Sequence, residues 1–420
     1  MTLIEIFDRT PVENLITTLA VKPDRVVFVG PESRRARRSL PAYEKILAGR
    51  GLHPELTVRG AARNDIESIV ETLLRLTSKE DEPCLVDISG GDESTLVAFG
   101  IVLGRSGVRG KNVSAFRINV VSRRGVRFRI TDGGTVEREV VDYSADGSTY
   151  LTVEENIFLH GGTVYDRGIA FRRGDPVEAD IEALWELCRE DCTGWNARIG
   201  KLSAAVSRYS GEVGVTGLFA LPEAAFGKKK ADVDRSLWEA LVARGLVEID
   251  EKRTAVSGGL ILFRYPHPIV EECLNKSGSV LEYYTYLTAL HVKEDGRYLF
   301  DSVETGITMD WDDDASGTRN EIDCMLTSGL VPVFISCKNG DVKTDELYKL
   351  DTVADQFGSG YAKKALLSTV WFDEESSAFC GERAAKNLKE RADDMEIRTI
   401  SRVHRMSRAE LEEELRKLLR

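Results

Sequence analysis

Hydrophobic and polar positions divide the first 121 residues into alternating strands and helices. Nearly continuous apolar runs predict strands at 3–7, 25–30, 55–59, 84–90 and 115–121. Between them, apolar residues at helical spacing predict helices at 11–20, 35–49, 65–76 and 94–103. Buried strands that alternate with helices are typical of a parallel sheet covered on both faces. The pattern therefore predicts a Rossmann-like, doubly wound α/β domain.

Three loops of this domain lie at the sheet edge where such folds bind ligands. Thr10 and Glu13 predict a capped helix start after the first strand, and Ser33 and Arg34 belong to a basic stretch after the second. The loop after the fourth strand consists of Ser89, Gly90, Gly91, Asp92 and Glu93. Glycine-rich helix starts suit phosphate. The loops are either routine helix caps or an anion site, and the absence of G-x-G-x-x-G argues against a dinucleotide cofactor.

The middle of the chain has a different pattern. Residues 122–175 predict β-hairpins and linkers, and a helix starts at 175–178. A helix at 231–244 is followed by two short apolar runs separated by a turn, which predicts a small winged-helix-like domain. Lysines 228–230 either contact phosphate or form a solvated loop, and a winged-helix shape often serves dimerisation or packing.

Residues 320–338, NEIDCMLTSGLVPVFISCK, predict a β-hairpin with its turn at 327–329. Strand alternation puts Ser336 and Lys338 on one side and Cys337 on the other, with Asp323 across the hairpin. Charges at the ends of apolar strands are costly unless they are paired or bind a metal. Asp323 and Lys338 are therefore either a structural ion pair or part of a catalytic site.

The elements around this hairpin follow a definite order. A helix at 279–292 carries Glu282, and a strand at 298–310 precedes the hairpin. A helix at 345–357 follows with Thr344 as its N-cap, and a strand at 365–370 comes next. Helices at 382–394 and 409–419 flank a last strand at 396–401, and Ser407 and Glu410 predict a capping box. The order is α-β-β-β-α-β.

Length and composition limit the possible classes. A chain of 420 residues with 42% hydrophobic residues predicts two or three domains. Because no apolar run reaches 18 residues and the N-terminus carries acids, we expect a cytoplasmic protein without a membrane segment. The seven cysteines lack zinc-ligand spacing and are expected to be reduced core residues. A net charge of −12 argues against general coating of nucleic acid but allows an enzyme with a local binding patch and divalent metals.

The hairpin and the first domain together carry a family resemblance. Asp323 followed by Ser336-x-Lys338 resembles the D-x(n)-(D/E)-x-K signature of PD-(D/E)xK nucleases, whose core has the same order of elements. Joined to a Rossmann-like sensor, it resembles the CARF-domain effectors of type III CRISPR systems, in particular the Can/Card family. The resemblance implies a CARF domain at 1–150, a linker and winged-helix-like domain at 151–270, and a nuclease domain at 271–420.

The resemblance also implies a function. The protein would be a homodimer that binds cyclic tetra-adenylate across two CARF domains and then cuts DNA and/or RNA with Mg²⁺ or Mn²⁺ in antiviral defence. Asp323 and Glu282 would be metal ligands, with Glu321 as a further candidate, and Lys338 the catalytic lysine beside Ser336. The expected ligand contacts are Thr10, Ser33, Arg34, Ser89, Gly90, Gly91, Asp92 and Glu93.

Two departures from the family pattern affect these expectations. Ser336 stands where the nuclease signature has a carboxylate, so Glu321, Asp341 or Glu346 is expected to supply the missing oxygen. Asp92 and Glu93 follow the glycine pair where threonine and lysine are expected. Two acids should weaken binding of an anionic ring by repulsion unless they contact ribose hydroxyls or an adenine amino group.

Two other classes of function remain open from the sequence. One is a non-catalytic, ligand-responsive DNA-binding regulator whose nuclease-like domain is inactive, which Ser336 and the acidic charge favour. The other is a stand-alone restriction-type endonuclease, which leaves the sensor without a purpose. The sequence does not choose between RNA, single-stranded DNA and duplex DNA, and it does not define the ring size or the metal.

Overall fold

The computed structural model describes residues 1–7, 10–31, 33–61, 65–78, 83–105, 112–131, 133–143, 147, 149–210, 217–227, 232–311, 319–340, 342–369 and 377–420. Lysines 228–230 and Asp341, named above, lie outside these ranges. No helix within them combines the length and the apolar character needed to cross a membrane.

The N-terminal part forms a seven-stranded sheet with the order β3-β2-β1-β4-β5-β6-β7. Its strands are β1 (Thr2–Ile6), β2 (Arg25–Gly30), β3 (Glu55–Gly60), β4 (Cys84–Asp87), β5 (Val113–Ile118), β6 (Arg124–Ile130) and β7 (Val136–Asp142). The first five are parallel, and β6 and β7 form an antiparallel hairpin at one edge. The crossover helices are α1 (Pro11–Val21), α2 (Ser33–Ala48), α3 (Ile66–Ser78) and α4 (Glu93–Gly104). The predicted Rossmann-like domain is confirmed.

Both faces of this sheet are covered, as the continuous apolar strands predicted. One core lies under α1 and α2 and the other under α3 and α4. The predicted capping box at the start of α1 is wrong, because the Thr10 side chain caps no backbone N–H there. Glu13 instead accepts a hydrogen bond from the hydroxyl of Tyr361, which lies 348 residues further along the chain. A tertiary contact has displaced the local one.

The middle segment contains four helices and a small sheet. The helices are α6 (Val177–Glu190), α7 (Cys192–Ser210), α8 (Arg235–Ala243) and α9 (Glu251–Thr254), and they follow α5 (Val153–Leu159) in the chain. The strands β9 (Phe219–Pro222), β10 (Glu248–Ile249) and β11 (Leu260–Arg264) form an antiparallel sheet with β11 in the centre. The sequence analysis predicted β10 and β11 but not β9. The winged-helix-like arrangement is confirmed.

The C-terminal part forms a six-stranded sheet with the order β18-β17-β16-β15-β14-β8. Its strands are β14 (Ser302–Trp311), β15 (Arg319–Ser328), β16 (Val331–Lys338), β17 (Lys363–Ser368), β18 (Ile397–Ile400) and β8 (Gly162–Asp166). The helices are α10 (Pro268–Asn275), α11 (Ser279–His291), α12 (Thr344–Gly358), α13 (Ser377–Asp394) and α14 (Arg408–Arg416). A two-stranded hairpin, β12 (Lys293–Glu294) and β13 (Arg297–Tyr298), follows α11. The predicted α-β-β-β-α-β order is confirmed, as is the capping box of α14.

Residues 153–166 differ from their prediction as hairpins and linkers. They form a helix, α5 (Val153–Leu159), and then β8, which pairs with β14 at the edge of the C-terminal sheet. Val153 and Ile157 are fully buried in the core that this sheet shares with α12. The segment was too short for periodicity to show a helix, and only the tertiary core gives its apolar residues a partner.

The middle segment and the C-terminal sheet share one hydrophobic core. Trp185 of α6 stacks on Tyr284 of α11 with ring centroids 4.8 Å apart, and both rings are buried. The same cluster continues to Ile335 and Cys337 of β16. The strand that carries Lys338 is therefore held on one face by helices from the middle of the chain.

Candidate active site

The predicted hairpin is present, and its strands separate at the end where the charges lie. Gly329 has φ +59° in the loop, which suits a tight hairpin turn. The paired ladder between β15 and β16 runs from Ser328↔Val331 to Cys324↔Ile335, so Asp323 and Ser336 lie just beyond its last pair. At the same level Gly306 of β14 has φ +56° and interrupts the pairing of β14 with β15. The backbone is thus open around Asp323.

One oxygen of Asp323 collects three donors from the end of β16. Asp323 Oδ2 accepts from Ser336 Oγ at 3.0 Å, from the backbone N–H of Cys337 at 2.6 Å and from Lys338 Nζ at 3.1 Å. The Cys337 side chain points the other way, with its sulfur 3.5 Å from Thr285 Oγ1. The predicted alternation of Ser336, Cys337 and Lys338 is confirmed. Asp323 Oδ1 has no hydrogen bond to any described residue.

Lys338 bridges two acidic side chains from different elements. Its Nζ lies 3.1 Å from Asp323 Oδ2 and 3.4 Å from Glu346 Oε2, near the start of α12. Burial alone lowers the pKa of Lys338, but the negative charges of Asp323 and Glu346 outweigh burial and raise it above its ordinary value. Lys338 is therefore held as an ammonium ion, which carries a positive charge, donates hydrogen bonds and does not accept a proton.

Glu282 of α11 is the third carboxylate near this end of the sheet. Its pKa is raised from 4.5 to about 8, mainly by burial and then by the negative charges of Asp323 and Glu321, and the charge of Lys338 offsets only part of this rise. Within the described residues, Glu282 has no hydrogen bond or ion pair. A buried carboxylate without a protein partner, surrounded by like charge, is a group that a cation would relieve.

Glu282 opens onto a cleft of about 830 Å³ between α11, α10 and β14. Its charged walls are Asp166, Arg167, Glu272, Lys276, Glu282 and Glu321. Tyr283 crosses its floor, donating from its hydroxyl to Glu272 at 2.7 Å and accepting from the backbone N–H of Ile169 at 3.0 Å. The cleft is therefore polar and acidic, and its size is that of a site for a small ligand or a segment of a polymer.

A ready-made metal site is not formed by these groups. No three His, Cys, Asp or Glu side chains of the described part converge closely enough to hold an ion. The donor types are nonetheless those that Mg²⁺ and Mn²⁺ prefer, and their mutual repulsion is what raises the pKa of Glu282 beyond the effect of burial. The residues fit a divalent cation by charge and chemistry.

The three loops predicted to bind a ligand meet at one edge of the N-terminal sheet. The strands β2, β1 and β4 are adjacent and parallel, so their carboxyl ends lie side by side. Ser33 and Arg34 begin α2, and Thr10 precedes α1 at this edge. Gly91 has φ +107°, and a β-carbon there would lie 2.2 Å from the Ile6 side chain. Only glycine allows this loop to lie so close to β1.

The side chains of the β4 loop have structural partners. Ser89 Oγ donates to Asp87 Oδ1 at 2.5 Å and accepts from the backbone N–H of Ile118 at 2.9 Å. Asp92 is the N-cap of α4, and its carboxylate accepts from the N–H and the hydroxyl of Thr95 at 3.2 and 2.5 Å. Its role as the N-cap of α4 explains why Asp92 follows the glycine pair. The predicted ligand contacts at Ser89 and Asp92 stay predictions, as does that of the exposed Glu93.

Sequence reasoning missed a buried carboxyl pair beneath this loop. Glu5 of β1 lies directly opposite Asp87 of β4, and both side chains are within 1% of complete burial. Burial, followed by the charge of Asp87, raises the pKa of Glu5 well above 4.5, and burial also raises that of Asp87. Asn14 and Thr18 of α1 donate to Glu5 at 3.1 Å each. The signal available in the sequence was an acid at the same place in two apolar strands.

The chain thus combines a Rossmann-like sheet with a ligand-binding edge and a second sheet with a charged, splayed hairpin. It is similar in fold to protein VC1899 from Vibrio cholerae, with a TM-score of 0.71, 15% sequence identity, and coverage of 100% of this chain and 97% of that one. It is also similar to Can2 from Sulfobacillus thermosulfidooxidans, solved in complex with cyclic tetra-adenylate, with a TM-score of 0.61, 15% identity and the same coverage.

These similarities concern the fold over the whole length of the chain. A type III CRISPR defence DNA nuclease activated by cyclic oligoadenylate matches 88% of this chain and 45% of its own with 12% identity, and its TM-score of 0.48 is too low to relate the folds. No family model matches the sequence, and no curated protein matches it by sequence. The resemblance to Can/Card proteins is confirmed at the level of the fold.

Proposed function

We propose that the protein is a metal-dependent nuclease that a cyclic oligoadenylate activates, acting in the cytoplasm in type III CRISPR antiviral defence. The observation that carries the proposal is the position of Lys338. Its ammonium group lies between Asp323 and Glu346 at the open end of a hairpin, beside the unpaired carboxylate of Glu282. That arrangement occurs in a chain with the fold of Can2, which has been solved with cyclic tetra-adenylate.

The charge state of Lys338 supports a specific role. Because the acidic neighbours keep its pKa raised, its ammonium is available to donate to a phosphate oxygen and to stabilise negative charge that develops there. Ser336 and the Cys337 N–H hold the Asp323 carboxylate in place by donating to the same oxygen that Lys338 contacts. Lys338 would therefore act as a fixed positive charge at the scissile phosphate, and Asp323 would orient it.

Asp323, Glu282 and Glu321 would hold Mg²⁺ or Mn²⁺. A divalent ion bound there would polarise the phosphate and lower the pKa of a bound water. Glu346 is the candidate that replaces the carboxylate missing at Ser336, because its Oε2 already lies 3.4 Å from Lys338 Nζ. Glu346 is also held as an anion: burial raises its pKa, but the charge of Lys338 and a hydrogen bond from Lys349 lower it overall.

The activator would bind at the carboxyl edge of the N-terminal sheet. The backbone of Gly90 and Gly91 and the side chains of Thr10, Ser33 and Arg34 would contact the ring there. Since Asp92 is occupied as the N-cap of α4, it would approach the ring less than a free acid would. This lessens the repulsion expected between Asp92 and an anionic ligand.

We propose that two copies associate through an apolar surface next to this loop. Its members are Val97 and Ile101 of α4 and Val136 and Val140 of β7, which are 53%, 42%, 60% and 59% exposed. The side chains of Val136 and Val140 project from the face of the sheet that α4 covers. They share this face with Phe128 of β6, which packs into the core under α4. As α4 starts at the glycine loop, a twofold contact along α4 would bring two such loops together around one ring.

A cleavage assay tests the proposal. Labelled RNA, single-stranded DNA and supercoiled plasmid would be incubated in Mn²⁺ without a ring, with cyclic tetra-adenylate and with cyclic hexa-adenylate. We expect cutting only with one ring, and none by Lys338→Ala. Lys349→Ala is the matched control, because Lys349 pairs with the same Glu346 at 3.3 Å but is 67% exposed.

The outcomes of that assay separate the competing functions. Cutting by Lys338→Ala at the wild-type rate contradicts the site assignment. Cutting without any ring removes the sensor from the proposal and favours a stand-alone endonuclease. Salt-sensitive DNA binding without cleavage favours the non-catalytic regulator.

A further inference from the structure

Tyr165 and Arg319 form an exposed stack at one end of the C-terminal sheet. The guanidinium carbon of Arg319 lies 3.3 Å from the centroid of the Tyr165 ring. Tyr165 is 56% exposed and the Arg319 side chain 46% exposed. The two residues are 154 positions apart, so a platform combining an aromatic ring with a basic group was not visible in the sequence.

Neighbouring strands hold this stack in a defined orientation. Arg319 begins β15 and lies opposite Asp310 of β14, whose Oδ1 accepts from Arg319 Nε at 3.0 Å. On the other side of β14, Thr163 of β8 lies opposite the same aspartate. Because Val164 faces the core, Tyr165 projects from the opposite face, where Arg319 also lies. The guanidinium plane is thus fixed by Asp310 and by the ring.

The stack adjoins the cleft that contains Glu282. Arg319 and Glu321 are two residues apart on one face of β15, which corresponds to about 7 Å along a strand. Tyr165 directly precedes Asp166 and Arg167, which line the cleft together with Glu321. A nucleic-acid strand that lies in the cleft and reaches Lys338 would therefore pass the Tyr165–Arg319 stack within a few nucleotides of Lys338.

We infer that Tyr165 and Arg319 form a stacking subsite for an unpaired nucleobase of the substrate. The inference rests on the proposed nuclease function. Every base has a π face, and aromatic rings and guanidinium planes bind unpaired bases with little dependence on sequence. Bases inside a duplex are already stacked and paired, so the platform has no access to them.

The acidic walls of the cleft attract a nucleic-acid strand poorly, so a subsite that binds a base by stacking would add affinity. Four carboxylates line it, Asp166, Glu272, Glu282 and Glu321, against the two cations Arg167 and Lys276. The phosphate backbone is thus poorly attracted by the walls themselves. Stacking supplies affinity that does not depend on net charge, so the platform can bind a base even though Asp310 offsets the charge of Arg319.

A similar stack elsewhere in the molecule provides the control. Tyr298 is 45% exposed, and the guanidinium carbon of Arg173 lies 3.7 Å from its centroid. Tyr298 belongs to β13, before the opposite end of β14, and unlike Tyr165 it is not next to any residue that lines the cleft. If exposed tyrosine–arginine stacks only cover the surface of this protein, substitutions at Tyr165 and Tyr298 will behave alike.

The test measures binding in a background that does not cut. Fluorescence anisotropy of a labelled single-stranded oligonucleotide would be recorded for the full-length Lys338→Ala protein with Mn²⁺ and the activating ring. We expect Tyr165→Ala to weaken binding about 5- to 150-fold, the range expected for loss of one base–aromatic stack. Tyr165→Phe, which keeps the ring, and Tyr298→Ala should retain the affinity of the parent. A blunt-ended duplex of two separate strands, which has no unpaired base, should bind equally to all four proteins.

Two binding results would overturn the inference: equal binding by the Tyr165→Ala and Tyr298→Ala proteins, or an equal loss on the two-stranded duplex. In the cutting-competent protein, Tyr165→Ala should raise KM and leave kcat unchanged, and a loss confined to kcat also overturns it. Cutting by Lys338→Ala would contradict the proposed catalytic site instead, and the KM comparison in the cutting-competent protein would then test Tyr165.

Discussion

The guanidinium of Arg50 binds the carboxylate of Glu155 through both terminal nitrogens, at 2.7 and 2.8 Å. Arg50 lies just beyond α2 of the N-terminal domain, whereas Glu155 belongs to α5, which packs against the C-terminal sheet. Arg50 also donates to the carbonyl oxygen of Tyr150 at 2.5 Å. In the same helix, Asn156 donates to the carbonyl oxygen of Phe357 at the end of α12. The start of α2 lies at the proposed ligand edge, and α12 carries Glu346, so this contact joins the two sites through a continuous set of elements.

Arg50→Ala is expected to destabilise the protein and to uncouple the ring from cutting. The Arg50 side chain is 8% exposed, and removing one partner of a buried ion pair costs on the order of 2–4 kcal/mol. Chemical denaturation measures the loss, and Arg129→Ala, which breaks an exposed pair with Glu137, is the control. Ring affinity that is retained while the rate enhancement by the ring falls would support coupling. An unchanged enhancement would contradict it.

The stability lost in Arg50→Ala should depend on pH. Burial raises the pKa of Glu155, but the hydrogen bonds and charge of Arg50 and the N–H of Thr152 lower it overall below 4.5. A carboxyl with a depressed pKa stabilises the folded state above pH 4.5 and loses that contribution as the pH falls through its folded value. The difference between wild type and Arg50→Ala should therefore be largest near neutral pH and shrink in acid. A constant difference would contradict the assigned role of charge.

Ser336→Ala and Glu346→Ala distinguish which residue replaces the missing carboxylate. Asp323 Oδ2 keeps the Cys337 N–H and Lys338 as donors when the Ser336 hydroxyl is removed, so we expect little change in cleavage rate. Loss of Glu346 removes a charge next to Lys338, and we expect the rate to fall about 10- to 1000-fold. Single-turnover cleavage measures both, with thermal unfolding as a check on folding. The opposite ranking would assign the role to Ser336.

Glu282→Gln should alter stability in a pH-dependent way. The folded state holds the Glu282 proton up to about pH 8, whereas the unfolded chain releases it near 4.5, so wild-type stability should fall as the pH rises between these values. With EDTA present, Tm of Glu282→Gln should match wild type near pH 5 and exceed it near pH 9. Added Mn²⁺ should raise Tm of the wild type more than that of the variant. Equal shifts by Mn²⁺ would remove Glu282 from the metal site.

Gly91→Ala should damage the ligand edge through the backbone. The substituted β-carbon would meet Ile6 at 2.2 Å in a conformation with φ +107°, so we expect a loss on the order of 2–4 kcal/mol and weaker ring binding. Gly200→Ala is the control, because nothing lies within 4 Å of that position in α7 and alanine favours a helix. Calorimetry would measure ring affinity and denaturation the stability. Wild-type values for both would contradict the close approach of this loop to β1.

The double variant Val97→Glu, Ile101→Glu should prevent self-association. Each substitution places a charge on the apolar surface of α4 without touching the glycine loop, so the chain should fold but sediment as a monomer and lose activation by the ring. Val256→Glu serves as the control, since Val256 is 84% exposed and far along the chain in the middle segment. Sedimentation velocity gives the result. A dimer that persists in the double variant would place the interface elsewhere.

Much of the fold was predictable because its information is local. The five parallel strands, their crossover helices and the β15–β16 hairpin have strong apolar periodicity, and each was predicted to within a few residues. The alternation of Ser336, Cys337 and Lys338 follows from strand geometry alone. The predictions failed where a residue had a distant partner, as at Glu13, which bonds to Tyr361, or where a segment was short, as in α5 and β8.

By itself, the sequence determined the two sheets, the hairpin and the side of it that carries Lys338, because these depend on the spacing of apolar residues along one segment. Only the tertiary structure decided which charges meet. Glu346 reaches Lys338 because α12 packs beside β16, Glu282 lies near Asp323 because α11 packs against β15, and Arg319 stacks on Tyr165 because β8 joins the sheet from a distant part of the chain. Electrostatic and stacking contacts depend on distances of a few ångströms between remote segments, and packing alone sets those distances.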